Sequence, residues 1–439
     1  MRFFTSLAHV TAVAFLGRTL AIPVNVSPGG SGSLTVTANN TLNATNPSTT
    51  ASAPITSGLQ LNLTNNLAGQ GAVNCYITGL DHNNQLVMLQ PNGQFYYPSA
   101  SYDTTPQQVT ADIAIPLGAE GSTTTVTIPS YISAARIWFA QGELQFFTVQ
   151  GESGPSLVEP SAVNPSDPSA DINWGFVELT WTASGGVFAN VSYVDFVGLV
   201  LGMSLTCSDN SVQEALGLQT SAVASICSDL AAQAAVDGQP WDDLCVTGTT
   251  GQPLRVLNPT DYLALNPSAF QNYWDSYIDA VWSYYSTNTL TIDTQSSCGQ
   301  VACSVSGDTL SCAGDNRAYA KPTAADIFGC NTGPFSILSS DNDVHLAVVP
   351  RLCAAFDRST FLVSGGNVQP SVQSDMYYTD ATTNWYAKIV HKYEVDTRGY
   401  AFAYDDVTPT GAASAAGVVA AGDATLLTIT VGGGIAGYA

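Results

Sequence analysis

Basic side chains are the scarcest chemistry in this sequence. Lys and Arg number 11 among 439 residues against 34 Asp and Glu, for a net charge of −23 at pH 7. Such a field repels phosphate backbones and anionic bilayers, which excludes nucleic acid and membrane as partners. Charge of either sign is sparse, at 10% of residues, while 45% are hydrophobic. That balance excludes a disordered chain and, with abundant Gly, Ser, Thr and Asn, suits a β-rich extracellular protein. Histidine is nearly absent too: beyond the first residues only His82, His345 and His391 occur. None stands in a His-x-x-x-His or Cys-x-x-Cys arrangement, so no metal is expected. There is no Gly-x-Ser-x-Gly elbow, and Gly432, Gly434 and Gly437 match a dinucleotide fingerprint with no room for the helix that must follow. No cofactor is expected. Asp341-Asn342-Asp343 lacks the glycine and distal glutamate of a calcium loop and reads as a helix cap or surface turn.

No stretch after residue 21 offers the ~18 uncharged apolar residues of a membrane span. Residues 1–21 carry Arg2, an apolar run over 7–16 and a small-x-small ending at Thr19-Leu20-Ala21, and read as a signal peptide. Its removal takes two arginines and leaves 9 basic and 34 acidic residues, net −25. Sequons at Asn25, Asn39, Asn43, Asn62 and Asn190 agree with a secreted, extracellular chain. The uncharged tail from 424 onward lacks the polar spacer of a lipid-anchor signal, and its Thr-Ile-Thr-Val run reads as a final strand. Of nine cysteines, eight fall between Cys207 and Cys353; four disulfides are expected there, with Cys75 left over.

Along the chain, 22–57 is a Ser/Thr/Asn-rich linker and 58–205 reads as antiparallel strands separated by turns. Residues 206–394 are mixed α/β. Ser211 and Glu214 form a potential capping box, Val223, Ile226 and Leu230 recur at helical spacing, and Asn266-Pro267 opens a helix with Phe270, Trp274, Tyr277, Val281 and Tyr285 on one stripe. Strand character returns over 395–433, including Tyr400-Ala-Phe-Ala-Tyr404, before a short tail at 434–439. The expected architecture is mainly β with a disulfide-stapled α/β insertion, in a monomer.

With these other chemistries set aside, carboxylates are the candidate catalytic groups. Glu178, in Trp174-Gly-Phe-Val-Glu-Leu-Thr-Trp181, lies in apolar text that would desolvate it and raise its pKa, as a general acid requires. Asp195, in Ser192-Tyr-Val-Asp-Phe-Val-Gly198, is its counterpart. The alternative for each is a hydrogen-bonded structural acid, for which few Lys and Arg are available. If Gly185-Gly186 makes a two-residue turn, Ser184 faces Val187 and Glu178 faces Tyr193, with Asp195 diagonal on the same face at roughly 7–8 Å. That leaves space for the water of an inverting glycosidase, whose carboxyls lie about 6.5–9.5 Å apart; a longer loop or direct pairing would change this, the latter toward the retaining separation.

The segments Phe176-Val-Glu-Leu-Thr-Trp181, Tyr193-Val-Asp-Phe-Val-Gly-Leu199 and Ala135-Arg-Ile-Trp-Phe139, with residues 351–358 and Tyr400-Ala-Phe-Ala-Tyr-Asp-Asp-Val407, make the chain over about 58–433 resemble glycoside hydrolase family 64. The resemblance implies a secreted endo-β-1,3-glucanase with a thaumatin-like β-barrel or sandwich domain, its insertion walling a wide groove for β-1,3-glucan. It implies Glu178 as general acid and Asp195 as general base of an inverting hydrolysis that releases short laminari-oligosaccharides, pentasaccharide favoured. Asp405 and Asp406 resemble an acidic pair bordering thaumatin-like clefts and are expected to bind substrate; the alternative is a solvated turn. Thr180 shares the face of Glu178 and is either a sugar contact or a simple β-former. Few polar or aromatic sugar contacts fill 182–191, which leaves product length open. The alternatives at the level of function are a non-catalytic glucan-binding protein and a cell-wall structural protein.

Overall fold

The structure, a computed structural model, describes residues 58–433 except 70, 101–104, 152–153 and 413–414, and the backbone of 24–26, 34–36 and 41–42. The signal peptide, most of the linker, the sequons at Asn39 and Asn43 and the 434–439 tail lie outside the described residues.

Alternation of apolar and polar residues builds two sheets. One runs in the order Gly417–Ala421, Gly186–Val191, Asn173–Thr182, Ile132–Gln141, Val73–Asp81, Leu86–Leu89 and Phe95–Tyr96, with Ile115–Pro116 as an additional partner of Val73–Asp81. The other runs Thr123–Ile128, Leu59–Asn65, Ala424–Val431, Leu201–Cys207 and Val212–Ala215. Inward residues of both, such as Ile77, Ile137, Val177 and Leu179 from the first and Leu61, Leu205 and Ile429 from the second, share one core, so the sheets stack as a sandwich. The expected barrel does not close: each sheet keeps two edge strands and no described pairing joins them. Ala424–Val431 lies parallel to Leu59–Asn65 and antiparallel to Leu201–Cys207, which ties the last described strand back to the start of the sandwich.

Helices Ala222–Asp237, Asp275–Tyr285, Asp343–Asp357 and Trp385–Lys392 and a five-stranded sheet from Leu290–Asp293 to Val368–Gln369 make up the intervening region. Three local expectations are corrected. Ser211 and Glu214 flank no helix start, because Val212–Ala215 pairs with Leu201–Cys207 around a turn with Asn210 at φ 67°. The Asn-Pro signature that caps a helix is the earlier one, Asn258-Pro259, whose Asn accepts from Thr260 N at 2.9 Å. After Asn266 the chain turns, with Phe270 at φ 55°, and the helix starts only at Asp275, still burying Tyr277, Val281 and Tyr285. Tyr400–Tyr404 is not a strand: one bridge at Tyr400 leads into turns.

Disulfides join Cys227 to Cys245, Cys303 to Cys312 and Cys330 to Cys353. Three bridges replace the four expected, and Cys207 and Cys298 are unpaired along with Cys75.

Candidate active site

The outward face of the first sheet carries the candidate chemistry. Thr78, Arg136, Glu178 and Asn190 are successive partners across four strands, one row perpendicular to the chain direction. Alternation along the strands puts Trp138, Trp174 and Phe176 on the same face, where they pack with Phe196 as an apolar floor. Val177 and Leu179, the neighbours that made the text around Glu178 look desolvating, point through the sheet into the sandwich core. The Glu178 side chain itself is 34% exposed.

The expected hairpin register is corrected. Thr182 pairs with Gly186, not Ser184 with Val187, because the loop holds three residues and closes with Gly186 at φ 68°. A Cβ on Gly186 would lie 2.2 Å from the Ala421 carbonyl oxygen, so glycine is required there. Glu178 therefore faces Asn190 rather than Tyr193, and Asp195 lies beyond the end of the strand.

Asp195 nonetheless reaches Glu178's side of the sheet, because the segment carrying it is fastened at both ends. Tyr193 N donates to Tyr400 O at 2.6 Å and Asn258 N donates to Asp195 O at 2.9 Å. Phe196 and Val197 then pair with Leu257 and Val256. Beyond them the chain crosses the Glu178 strand closely: Leu199 N donates to Trp174 O at 3.0 Å. A Cβ on Gly198 would fall 2.1 Å from Trp174 O, and one on Gly175 would fall 2.6 Å from Leu199 O.

One guanidinium joins the acids. Arg136 Nη2 lies 3.7 Å from Glu178 Oε1 and 3.5 Å from Asp195 Oδ2, while Nη1 donates to Glu159 Oε2 at 2.8 Å. These two oxygens can therefore be no farther apart than the sum of the two contacts, about 7.2 Å. The guanidinium also lies over Phe176, 4.3 Å from its centroid. Burial alone would lower the Arg136 pKa; Glu159, Asp195 and Glu178 outweigh it and push the pKa up, so the side chain is a permanent cation. Asn190 Nδ2 donates to Glu178 Oε2 at 3.3 Å. Read in the sequence only as a sequon, Asn190 is a contact of the candidate acid.

Thr180 lies two residues along on the same face, half-buried and opposite Phe188. The acidic pair is parted. Asp405 is fully buried. Its oxygens accept from Arg358 Nη2 at 2.8 Å, His391 Nε2 at 2.9 Å and Ala401 N at 2.9 Å, which leaves no face for a sugar. Asp406 is half-buried, with a pKa raised by burial and then by Asp405. Burial pushes the Tyr400 phenol up, and the charges of Asp406, Asp405 and Glu178 push it further.

Arg136, Glu159, Asn190 and Tyr400 were not singled out in the sequence as site residues. A usable signal existed for Arg136. In a chain with 11 basic residues, an arginine between Ala135 and Ile137 in strand text, two residues from Trp138 on the same face, has to be paired with acids.

In fold, the chain is β-1,3-glucanase-like: a laminaripentaose-producing β-1,3-glucanase solved in complex with laminaritetraose superposes with TM-score 0.75 at 26% identity, over 86% of this chain and 99% of the other. The β-1,3-glucanase domain from Clostridium beijerinckii shares the fold at TM-score 0.65 and 22% identity, over 87% of this chain and 100% of that one. Matched over residues 57–431 by the family model for β-1,3-glucanases, the chain belongs to glycoside hydrolase family 64. A glucan endo-1,3-β-glucosidase of Cellulosimicrobium cellulans is 28% identical over 290 residues, 64% of this chain and 50% of the relative; one of Arthrobacter sp. (strain YCWD3) is 27% identical over the same shares. The chain thus spans about half the length of the curated relatives it matches.

Proposed function

We propose that the protein is a secreted endo-β-1,3-glucanase that cleaves laminarin-type glucan by inversion and releases short laminari-oligosaccharides. Glu178 protonates the glycosidic oxygen, and Asp195 takes a proton from the water that attacks the anomeric carbon from the opposite face. The observation that carries the reading is the placement of both carboxylates on one arginine nitrogen, at 3.7 and 3.5 Å, in a chain of this family. The limit of about 7.2 Å between these oxygens admits the shorter inverting separations as well as the retaining one of about 5–5.5 Å, so inversion rests on the family resemblance and on the product anomer. Among the described residues no helix is long and apolar enough to cross a membrane, in keeping with an extracellular enzyme whose partner is the glucan. Thr180 and Asp406 contact sugar hydroxyls, and Asp405, bonded to Arg358, His391 and Ala401, holds the turn that carries Asp406.

The test is proton NMR of the first product from laminarin. The α-anomer is expected to appear first; a β-anomer would replace inversion by retention. Glu178→Gln and Asp195→Asn are each expected to lose hydrolysis by about 10²–10⁴-fold while retaining laminarin in affinity electrophoresis. Full activity in either variant would reject its role, and an inactive wild type that still binds would make this a glucan-binding protein.

A further inference from the structure

We propose that Arg136 is a positioning residue that acts as a shared counter-charge, holding the negative charge of the reaction at equal cost whether it lies on Asp195 or on Glu178; this rests on the acid and base roles given above. In the inverting step the anomeric C–O bond breaks and its electron pair goes to the departing oxygen, which takes the proton of the Glu178 carboxyl. The water oxygen forms the new C–O bond and its proton passes to the Asp195 carboxylate. Atoms balance, and the net effect inside the protein is the transfer of one negative charge from Asp195 to Glu178.

A cation close to only one of them would favour one end of that transfer and oppose the other. Arg136 Nη2 is 3.5 Å from Asp195 and 3.7 Å from Glu178, and since Coulomb attraction falls as the inverse of distance, the two states differ in this attraction by only about 5%. The nitrogen keeps that place because the rest of the guanidinium is fastened. Nη1 is bonded to Glu159, whose side chain is 5% exposed, and the plane rests on Phe176 beside Trp138. Charged and titratable groups that act on the pair or on its neighbours include Glu159 from the segment after Gly154–Val158, Asp261 of helix Pro259–Leu265, Tyr386 of helix Trp385–Lys392, and Tyr400 with Asp405 and Asp406. None of them is a second cation.

The signature is a translation of the pH profile. The acid limb of kcat/KM reports the base and the alkaline limb the acid, so loss of a cation that both carboxylates share is expected to move the two limbs in the same direction. Arg136→Met is expected to move both limbs of the bell to higher pH together and to lower kcat about a hundredfold. Arg136→Lys keeps the charge and is expected to return the bell to its place with much of kcat. Glu159→Gln, which removes an anion and preserves shape, is expected to move the bell down, and it supplies the reading if Arg136→Met does not fold. A lower kcat with both limbs unmoved in Arg136→Met, or an unmoved bell in Glu159→Gln, would overturn the inference. Measured alongside, active Glu178→Gln or Asp195→Asn would instead overturn the acid and base assignment, so the two failures are distinguishable.

Discussion

Asn190 combines two demands that compete for one nitrogen. Its Nδ2 donates to Glu178 at 3.3 Å, and the same nitrogen is the atom a glycan would occupy in Asn190-Val191-Ser192. A glycan there would replace one of the amide's N–H groups and set a sugar against the acid. Active preparations from a glycosylating host are therefore expected to carry an unmodified Asn190, which peptide mass spectrometry checks; a fully glycosylated and fully active protein would contradict the site. Asn190→Ala is expected to lower kcat/KM about tenfold, a loss of about 1.4 kcal/mol, in the range for a hydrogen bond to a charged group that is partly solvated. The backbone partner Val418 does not depend on that side chain, so the melting temperature should hold. At this scale the closeness of the two candidate carboxylates to each other was legible, in that both contact Arg136, because a carboxylate in apolar strand text is conspicuous. Their environment was not: Val177 and Leu179 adjoin Glu178 in sequence but lie through the sheet from it, while its actual neighbours Arg136 and Asn190 are 42 and 12 positions away.

Among the elements, the turn over 400–407 shows how the fold carries a charge to the site. It has no regular structure and is pinned by Asp405, which accepts from Arg358, His391 and Ala401. Burial would lower the His391 pKa, but Asp405 and Glu394 raise it from 6.5 to about 10. A raised pKa adds stability that is complete below the unfolded value, near 6.5, and fades as pH rises through about 10. Asp405 is held low by His391 and Arg358 against burial, so its share is present above the ordinary carboxylate pKa and lost as pH falls through the depressed one. His391→Gln is then expected to melt on the order of 5 °C lower near pH 6, with the gap closing toward pH 10; a gap constant across that range would reject the ion cluster as its source. Gly198→Ala tests the other fastening: Ala must move the crossing at Trp174 O, so laminarin hydrolysis should fall far more than the fraction folded by circular dichroism. These fastenings were largely illegible. Tyr400-Ala-Phe-Ala-Tyr404 alternates as a strand does, but the bond of Asp405 to Ala401 N closes a turn instead, and the hairpin register rested on a loop length that differs by one residue.

At the scale of the molecule, strand alternation and the return of the last strand were legible because each depends on which face is buried, whereas sheet closure and disulfide pairing depend on how distant elements meet. Charge is the other global property, and it separates stability from binding. A net charge of −23 on a compact chain with only 11 cations is self-repulsive, and screening by salt relieves that repulsion over distances beyond about 8 Å. A neutral glucan gains nothing from the same field, and the contacts among Arg136, Glu159, Glu178 and Asp195 all lie within 3.7 Å, inside the screening length. Raising ionic strength from about 10 mM to 300 mM, across which the Debye length falls severalfold, should therefore raise the melting temperature by a few degrees while kcat/KM on laminarin changes by less than about twofold. Calorimetry and a reducing-sugar assay on one salt series decide it. A steep fall of kcat/KM with salt would mean that long-range charge guides the substrate, which the proposed substrate, an uncharged β-1,3-glucan, does not allow.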